Sequence, residues 1–315
     1  YFFPFGNKIL LTQIIAQQFI IFQYCFCKKA FIFMFFFLLF LQFVSTHYHN
    51  NTLSHLVIAL PEKQLPKLIA KFESWQKYDP CRNPTNVSLI ILFSGKYNLV
   101  LSETVKRAYS QLFSVKNCFK RFYVQFAGLA GQEDKYPNGP NSIFKKLLKH
   151  QIKLKGHTSN IFLMEPDCVQ IKSNWLEALE NSVIWPNAPF WIKGSQFTGH
   201  PDYLPISSVG YLIHINANAF YNIGSEIFKK FFEDEIEPIL PSVYGFDTDI
   251  YNIIYDLKNL QKFRHILHLI QHNNVIQNTY YIPENITKFN LDCPYTYMLH
   301  TGSLPSKPYE WKSLY

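Results

Sequence analysis

The chain has 315 residues, 48% hydrophobic and 17% aromatic, with only 12 glycines, which excludes collagen-like, linker-like and disordered chains because there is ample apolar side chain for a packed core. The formal charge of +8 invites a nucleic-acid interpretation, yet three of the lysines (Lys8, Lys28 and Lys29) lie in an amino-terminal stretch that holds no acid. The strongest basic cluster further on, Lys145, Lys146 and Lys149, reads as one solvated helix face without an aromatic-basic motif, so no nucleic-acid partner is expected.

Residues Ala30 to Val44 form an uncharged run of mostly large apolar side chains directly after Lys28 and Lys29. As a helix it would measure about 22 Å, short of a full hydrocarbon core of about 30 Å but suited to a thin membrane. A basic flank and an apolar run also fit a cleaved signal peptide, but Phe43, Val44 and Ser45 make a poor cleavage site. Residues 1–45 are therefore expected to be a cytosolic tail and signal-anchor transmembrane helix, and 46–54 a short stem. With the lysines cytosolic, residues 55–315 become a lumenal catalytic domain of a type II single-pass protein of the endoplasmic reticulum or Golgi membrane. Glycosylation sequons at Asn50, Asn86 and Asn285 agree with a lumenal location. Cys81, Cys118, Cys168 and Cys293 allow two disulfides in three connectivities, or stand as buried thiols.

Leu56–Leu60 reads as a strand stopped by Pro61, followed by Leu65, Leu68, Ile69, Phe72 and Trp75 at helical spacing. The unit repeats with a strand over Val87–Phe93 and a helix marked by Val105, Ala108, Tyr109, Leu112 and Phe113. Phe122–Phe126 is a third strand, after which Asn141 is placed to cap a helix carrying Phe144, Leu147 and Leu148. Ile161–Met164 is the fourth. Fully apolar short runs alternating with amphipathic helices predict an α/β fold, Rossmann-like, with a parallel sheet covered on both faces. The second half is less regular, with helices expected near 227–232 and 248–262.

The fourth strand runs straight into Glu165-Pro166-Asp167, and Asn174 with Glu177 resembles a capping box opening the next helix. Ligands of open parallel sheets bind outside the carboxyl ends of the strands, and Pro166 stiffens the turn so that both acids can face one crevice. Oxygen donors of this kind suit Mg²⁺ or Mn²⁺ completed by substrate phosphates. No glycine-rich phosphate loop follows the first strand, where Leu60-Pro61-Glu62-Lys63 stands instead, which argues against a cytosolic nucleotidyltransferase.

Strand, E-P-D and helix behind a signal anchor resemble the metal-binding region of GT-A glycosyltransferases, which use nucleotide-sugar donors. Glu133–Pro137, Phe190–Ser195, His214–Tyr221 and Gly245–Asp249 extend the similarity to GT-A-like proteins of algae and protists over most of residues 55–302. Two positions depart from the pattern: Glu165 replaces Asp, and Ala217 stands where glycine is expected. The resemblance implies a mixed GT-A sheet flanked by helices, with Glu165, Asp167 and His300 holding the metal. It implies donor contacts from Glu165, Asp167, Lys193 and Gly194, acceptor contacts from Trp191, Asn216, Asn218 and Tyr221, and catalysis by Asp247 or Asp249. The partners it implies are a nucleotide-sugar donor and a protein or glycan acceptor. Aromatic residues including Tyr211 and Phe220 are further candidates for sugar stacking, and a noncatalytic carbohydrate-binding protein on the same scaffold is the alternative.

Overall fold

The computed structural model describes residues 51–156, 158–196, 210, 213–279, 283 and 285–300, and residues 51–315 form one compact unit. The expected anchor, Ala30–Val44, lies outside the described residues, as does Tyr211. Among the described residues no helix is long and apolar enough to cross a membrane.

The βα units come first. Strand β1 (Leu53–Leu60) leads to helix α1 (Leu65–Lys77), β2 (Ser88–Phe93) to α2 (Leu99–Ser110), and β3 (Arg121–Phe126) to α3 (Asn138–Leu148). Strand β4 (Asn160–Met164) follows, then β5 (Cys168–Gln170) and α4 (Trp175–Ile184). The second half contributes β6 (Ile192–Gln196), β7 (Ile215–Asn222), α5 (Glu226–Phe231), α6 (Phe246–Ile254) and α7 (Leu257–Phe263). It ends with β8 (Ile270–His272), β9 (Ile276–Asn278), α8 (Ile286–Asp292) and β10 (Met298–His300). Leu53 and Ser54, expected in the stem, are the first residues of β1.

Seven strands make one sheet in the order β3-β2-β1-β4-β7-β6-β8, and β5-β10-β9 make a small second sheet. The first four are parallel, as the apolar runs of β1, β2 and β4 predict. The sheet as a whole is mixed, because β7 pairs antiparallel with both β4 and β6. Both faces are covered, so alternate residues of one strand enter different cores. Leu56, Ile58 and Leu60 pack with Leu68, Phe72 and Trp75 of α1, whereas Val57 packs with Phe144 and Leu147 of α3. Helices α1 and α3 therefore cover opposite faces.

Several local expectations are revised. Asn141 lies inside α3, buried, with its amide donating to the Tyr244 carbonyl at 3.1 Å. Asn174 makes no side-chain cap; its backbone is left-handed (φ 62°), and the Glu177 carboxylate instead accepts from the Arg82 and Asn83 amides at 2.7 and 2.9 Å. The 248–262 helix is two helices. Lys145, Lys146 and Lys149 are not a freely solvated face but pair with Glu237, Glu133 and Glu237 respectively. Among the described residues one disulfide forms, Cys81–Cys118, and Cys168 and Cys293 are free thiols.

Candidate functional site

The strand order fixes where a crevice opens. From β1 the chain winds outward through β2 to β3 and then returns to place β4 on the other side of β1. Crossover helices α1 and α3 pack on opposite faces, so the carboxyl ends of β1 and β4 are left uncovered between them, the usual ligand position in open α/β sheets. A cavity of about 570 Å³ lies there, walled by Leu60 at the end of β1 and Pro61 after it, Ser94 after β2, Glu165, Pro166 and Asp167 after β4, and Ala217 and Phe246 from β7 and α6. That volume is typical of small-molecule sites.

Glu165 and Asp167 flank the turn where the chain leaves the large sheet at β4 and enters the small one at β5. There β10 pairs antiparallel with β5, His300 facing Cys168 in the register. A residue from the far end of the chain thus arrives beside the acidic turn. His300 Nε2 lies 3.0 Å from Glu165 Oε2 and 3.4 Å from Asp167 Oδ1, and the ligand atoms of the three side chains fall within 4.8 Å of one another. Burial disfavours the charge on Asp167, but the His300 imidazole and then Lys67, whose Nζ is 3.7 Å from Oδ2, hold its carboxyl below the ordinary value. Burial likewise opposes charge on His300, and the two carboxylates overcome it, raising the imidazole to about 10. Asp167 Oδ1 is a buried oxygen without a hydrogen bond among the described residues, the His300 contact being an ion pair at longer range. Two hard carboxylate groups, one of them with an unsatisfied oxygen, and an imidazole fit a divalent cation.

The other expected residues divide. Asp247 adjoins the site: its Oδ2 accepts from the Ala217 amide at 3.0 Å, and burial, with a contribution from Glu165 and against the opposing field of His214, raises its carboxyl above the ordinary range. Ala217, where glycine was expected, lies within β7 without a left-handed φ. Asp249 is fully buried and accepts from the Tyr244 amide, so it holds a turn. Lys193 and Gly194 lie on β6, two strands from β4. Lys193 is 1% exposed and donates to the Trp185 carbonyl at 2.7 Å, and a Cβ on Gly194 would meet Ile215 Cγ2 at 2.6 Å, so close strand packing rather than donor contact accounts for the glycine.

Trp191 stacks on Phe228, Tyr221 packs against Phe144 and Phe246, and Phe220 against Phe162, all buried in the core rather than presented to a ligand. Asn218 is also buried, whereas Asn216 is half-buried. Sequence reasoning missed Lys67 and Lys71, one helical turn apart on α1. Lys71 is buried under the acidic turn, its Nζ donating to the Cys168 carbonyl; burial lowers its pKa against the opposing fields of Cys168, Asp167 and Glu165. A lysine among the core-facing positions Leu68, Phe72 and Trp75 was the available signal.

No family model matches the sequence, and no curated protein is a significant match. Among solved structures, the chain is similar to mouse xyloside xylosyltransferase 1, at 13% identity over 79% of this chain and 98% of that one, with a TM-score of 0.45. It is similar to the bifunctional glycosyltransferase WbbM at 12% identity, over 80% and 46% of the two chains, TM-score 0.48. A third is the mannosyltransferase PcManGT from Pyrobaculum calidifontis, solved with GDP-Man and Mn²⁺, at 12% identity, 63% and 50% coverage, TM-score 0.37. All three are glycosyltransferases, and the chain spans about half the length of the second and third.

Proposed function

We propose that the chain is a metal-dependent glycosyltransferase that moves a sugar from a nucleotide-diphosphate donor to a protein or glycan acceptor. The observation that carries this is the convergence of Glu165, Asp167 and His300 on the wall of a cavity of about 570 Å³ at the switch point of the sheet. Mn²⁺ or Mg²⁺ held by these three side chains would supply Lewis-acid charge to a diphosphate leaving group. The remaining tasks fall to the chain itself. Lys63 and Lys135 line the same cavity and offset phosphate charge, while Leu60, Leu163, Met164 and Phe246 form an apolar wall that keeps water from the reacting carbon. Asp247, with its raised carboxyl and one oxygen fixed by the Ala217 amide, is the group suited to accept the acceptor-hydroxyl proton.

The chain incubated with Mn²⁺ and a panel of UDP- and GDP-sugars is expected to hydrolyse or transfer from at least one donor, with Asp167→Ala abolishing the signal. Equal signals from the two proteins would sink the proposal, and sugar binding without turnover would leave the carbohydrate-binding alternative. The same proposal puts the domain in the secretory lumen behind an anchor at Ala30–Val44. It is supported by the Cys81–Cys118 bridge, a bond of oxidising compartments, and by the exposure of the sequon residues Asn86 and Asn285. Digestion of the domain by protease in sealed vesicles without detergent would remove that placement.

A further inference from the structure

Asn218 uses its whole hydrogen-bonding capacity on the acidic turn and its own strand. Its Oδ1 accepts from the Glu165 amide at 2.7 Å and from Cys168 Sγ at 2.8 Å; its Nδ2 donates to Glu165 Oε2 at 2.8 Å and to Asn216 Oδ1 at 2.7 Å. The orientation is forced, because a backbone N–H only donates and a carboxylate only accepts, so flipping the amide breaks both contacts with Glu165. All four positions are filled and the residue is 0% exposed, so no capacity remains for an acceptor sugar.

We infer that Asn218 is a positioning residue that sets how Glu165 presents its carboxylate to the cavity. One amide grips Glu165 at both ends, backbone and carboxylate, and thereby closes a ring around its side-chain torsions. Oε2 is committed to Asn218 and His300, while Oε1 has no hydrogen bond among the described residues. A glutamate has one more torsion than the aspartate expected at this position, so its carboxylate has more freedom to lose on binding. Asn218 removes that freedom beforehand. Asn216 in turn steadies Asn218, accepting from both its backbone N–H and its side-chain amide. The inference rests on the metal-site assignment above and extends it to the residues behind the ligands.

The test uses Mn²⁺ alone, titrated into the full chain and read by the spin-resonance signal of the free ion, with unfolding midpoints measured alongside. Asn218→Ala is expected to weaken Mn²⁺ binding about tenfold to hundredfold, the usual effect of removing a partner behind a ligand. Asn216→Ala should weaken it less, in the same direction. Phe220→Leu, a core substitution on the same strand, should lower stability and leave Mn²⁺ affinity within about twofold, because it touches no ligand. A folded Asn218→Ala with unchanged affinity overturns the inference, as does a Phe220→Leu loss of equal size. If Asn218→Ala does not fold, Asn216→Ala decides, and unchanged affinity there overturns it equally. Absence of Mn²⁺ binding by the wild-type chain would instead refute the metal-site assignment itself, and the positioning role with it.

Discussion

Loading the site with a divalent cation should expel a proton. In the metal-free chain His300 Nε2 sits 3.0 Å from Glu165 Oε2 and 3.4 Å from Asp167 Oδ1, and these carboxylates raise the imidazole to about 10 against the opposing effect of its burial. At pH 7 the ring is therefore charged, but only a neutral imidazole can ligate a metal. Neutralising it costs about 1.4 kcal/mol for each unit between pH 7 and the pKa, or about 4 kcal/mol in all. Asp167, held below the ordinary carboxylate range, stays ionised throughout. Mn²⁺ affinity should therefore rise about tenfold per pH unit from 7 to 9, with close to one proton released per ion bound. Calorimetry in PIPES and in Tris, whose ionisation enthalpies differ, counts that proton. His300→Ala removes a ligand and the competing proton together, so it should bind more weakly at pH 9 yet show little pH dependence. Proton release near zero at pH 7, or an unchanged pH slope in His300→Ala, would refute the reasoning.

Asp247→Asn should lower sugar transfer by about a hundredfold or more while leaving Mn²⁺ binding within a few fold. Asp249→Ala should instead destabilise the fold, because it removes the buried acceptor of the Tyr244 amide; urea melts and rate assays on both variants separate the roles. Lys193, lowered to about 8 by burial, predicts the sign of a stability change. Between pH 8 and the unfolded value of 10.5 the unfolded chain holds more protons, so stability rises with pH across that window. Lys193→Met should flatten the rise in urea midpoints measured at several pH values. Cys81→Ser opens a bridge spanning 37 residues of sequence, which the loop-entropy relation values at about 4 kcal/mol; a denaturant midpoint indistinguishable from wild type would contradict it.

The parallel half of the sheet was readable because three of its four strands, β1, β2 and β4, are covered on both faces, and an apolar run such as Leu89–Phe93 leaves little else to form. The antiparallel half was not. Strand β6 reads Ile-Lys-Gly-Ser-Gln, without alternation, since Lys193 and Ser195 are buried alongside Gly194. The acidic turn was legible from its place after an apolar strand. The roles of Trp191, Tyr221 and Asn218 were not, because an aromatic or amide at the edge of a motif carries no mark of whether it faces a ligand or the core. Burial decides that, and burial depends on neighbours far away in sequence: Phe228 for Trp191, Phe144 for Tyr221, Glu165 for Asn218.

His300 shows how such a distant neighbour is delivered. Residues two apart on a strand share a face, and Met298, fully buried, belongs to the core formed with Met164 and Cys168. Packing Met298 into that core fixes the height of β10 against β5, and the antiparallel register from Met298 opposite Gln170 to His300 opposite Cys168 carries the imidazole to the acidic turn. A slip of one residue would turn the imidazole to the other face of the small sheet. The ligand geometry is thus held by a hydrophobic contact two residues away and by ladder pairing on both sides, since the three-residue β10 lies between β5 and β9.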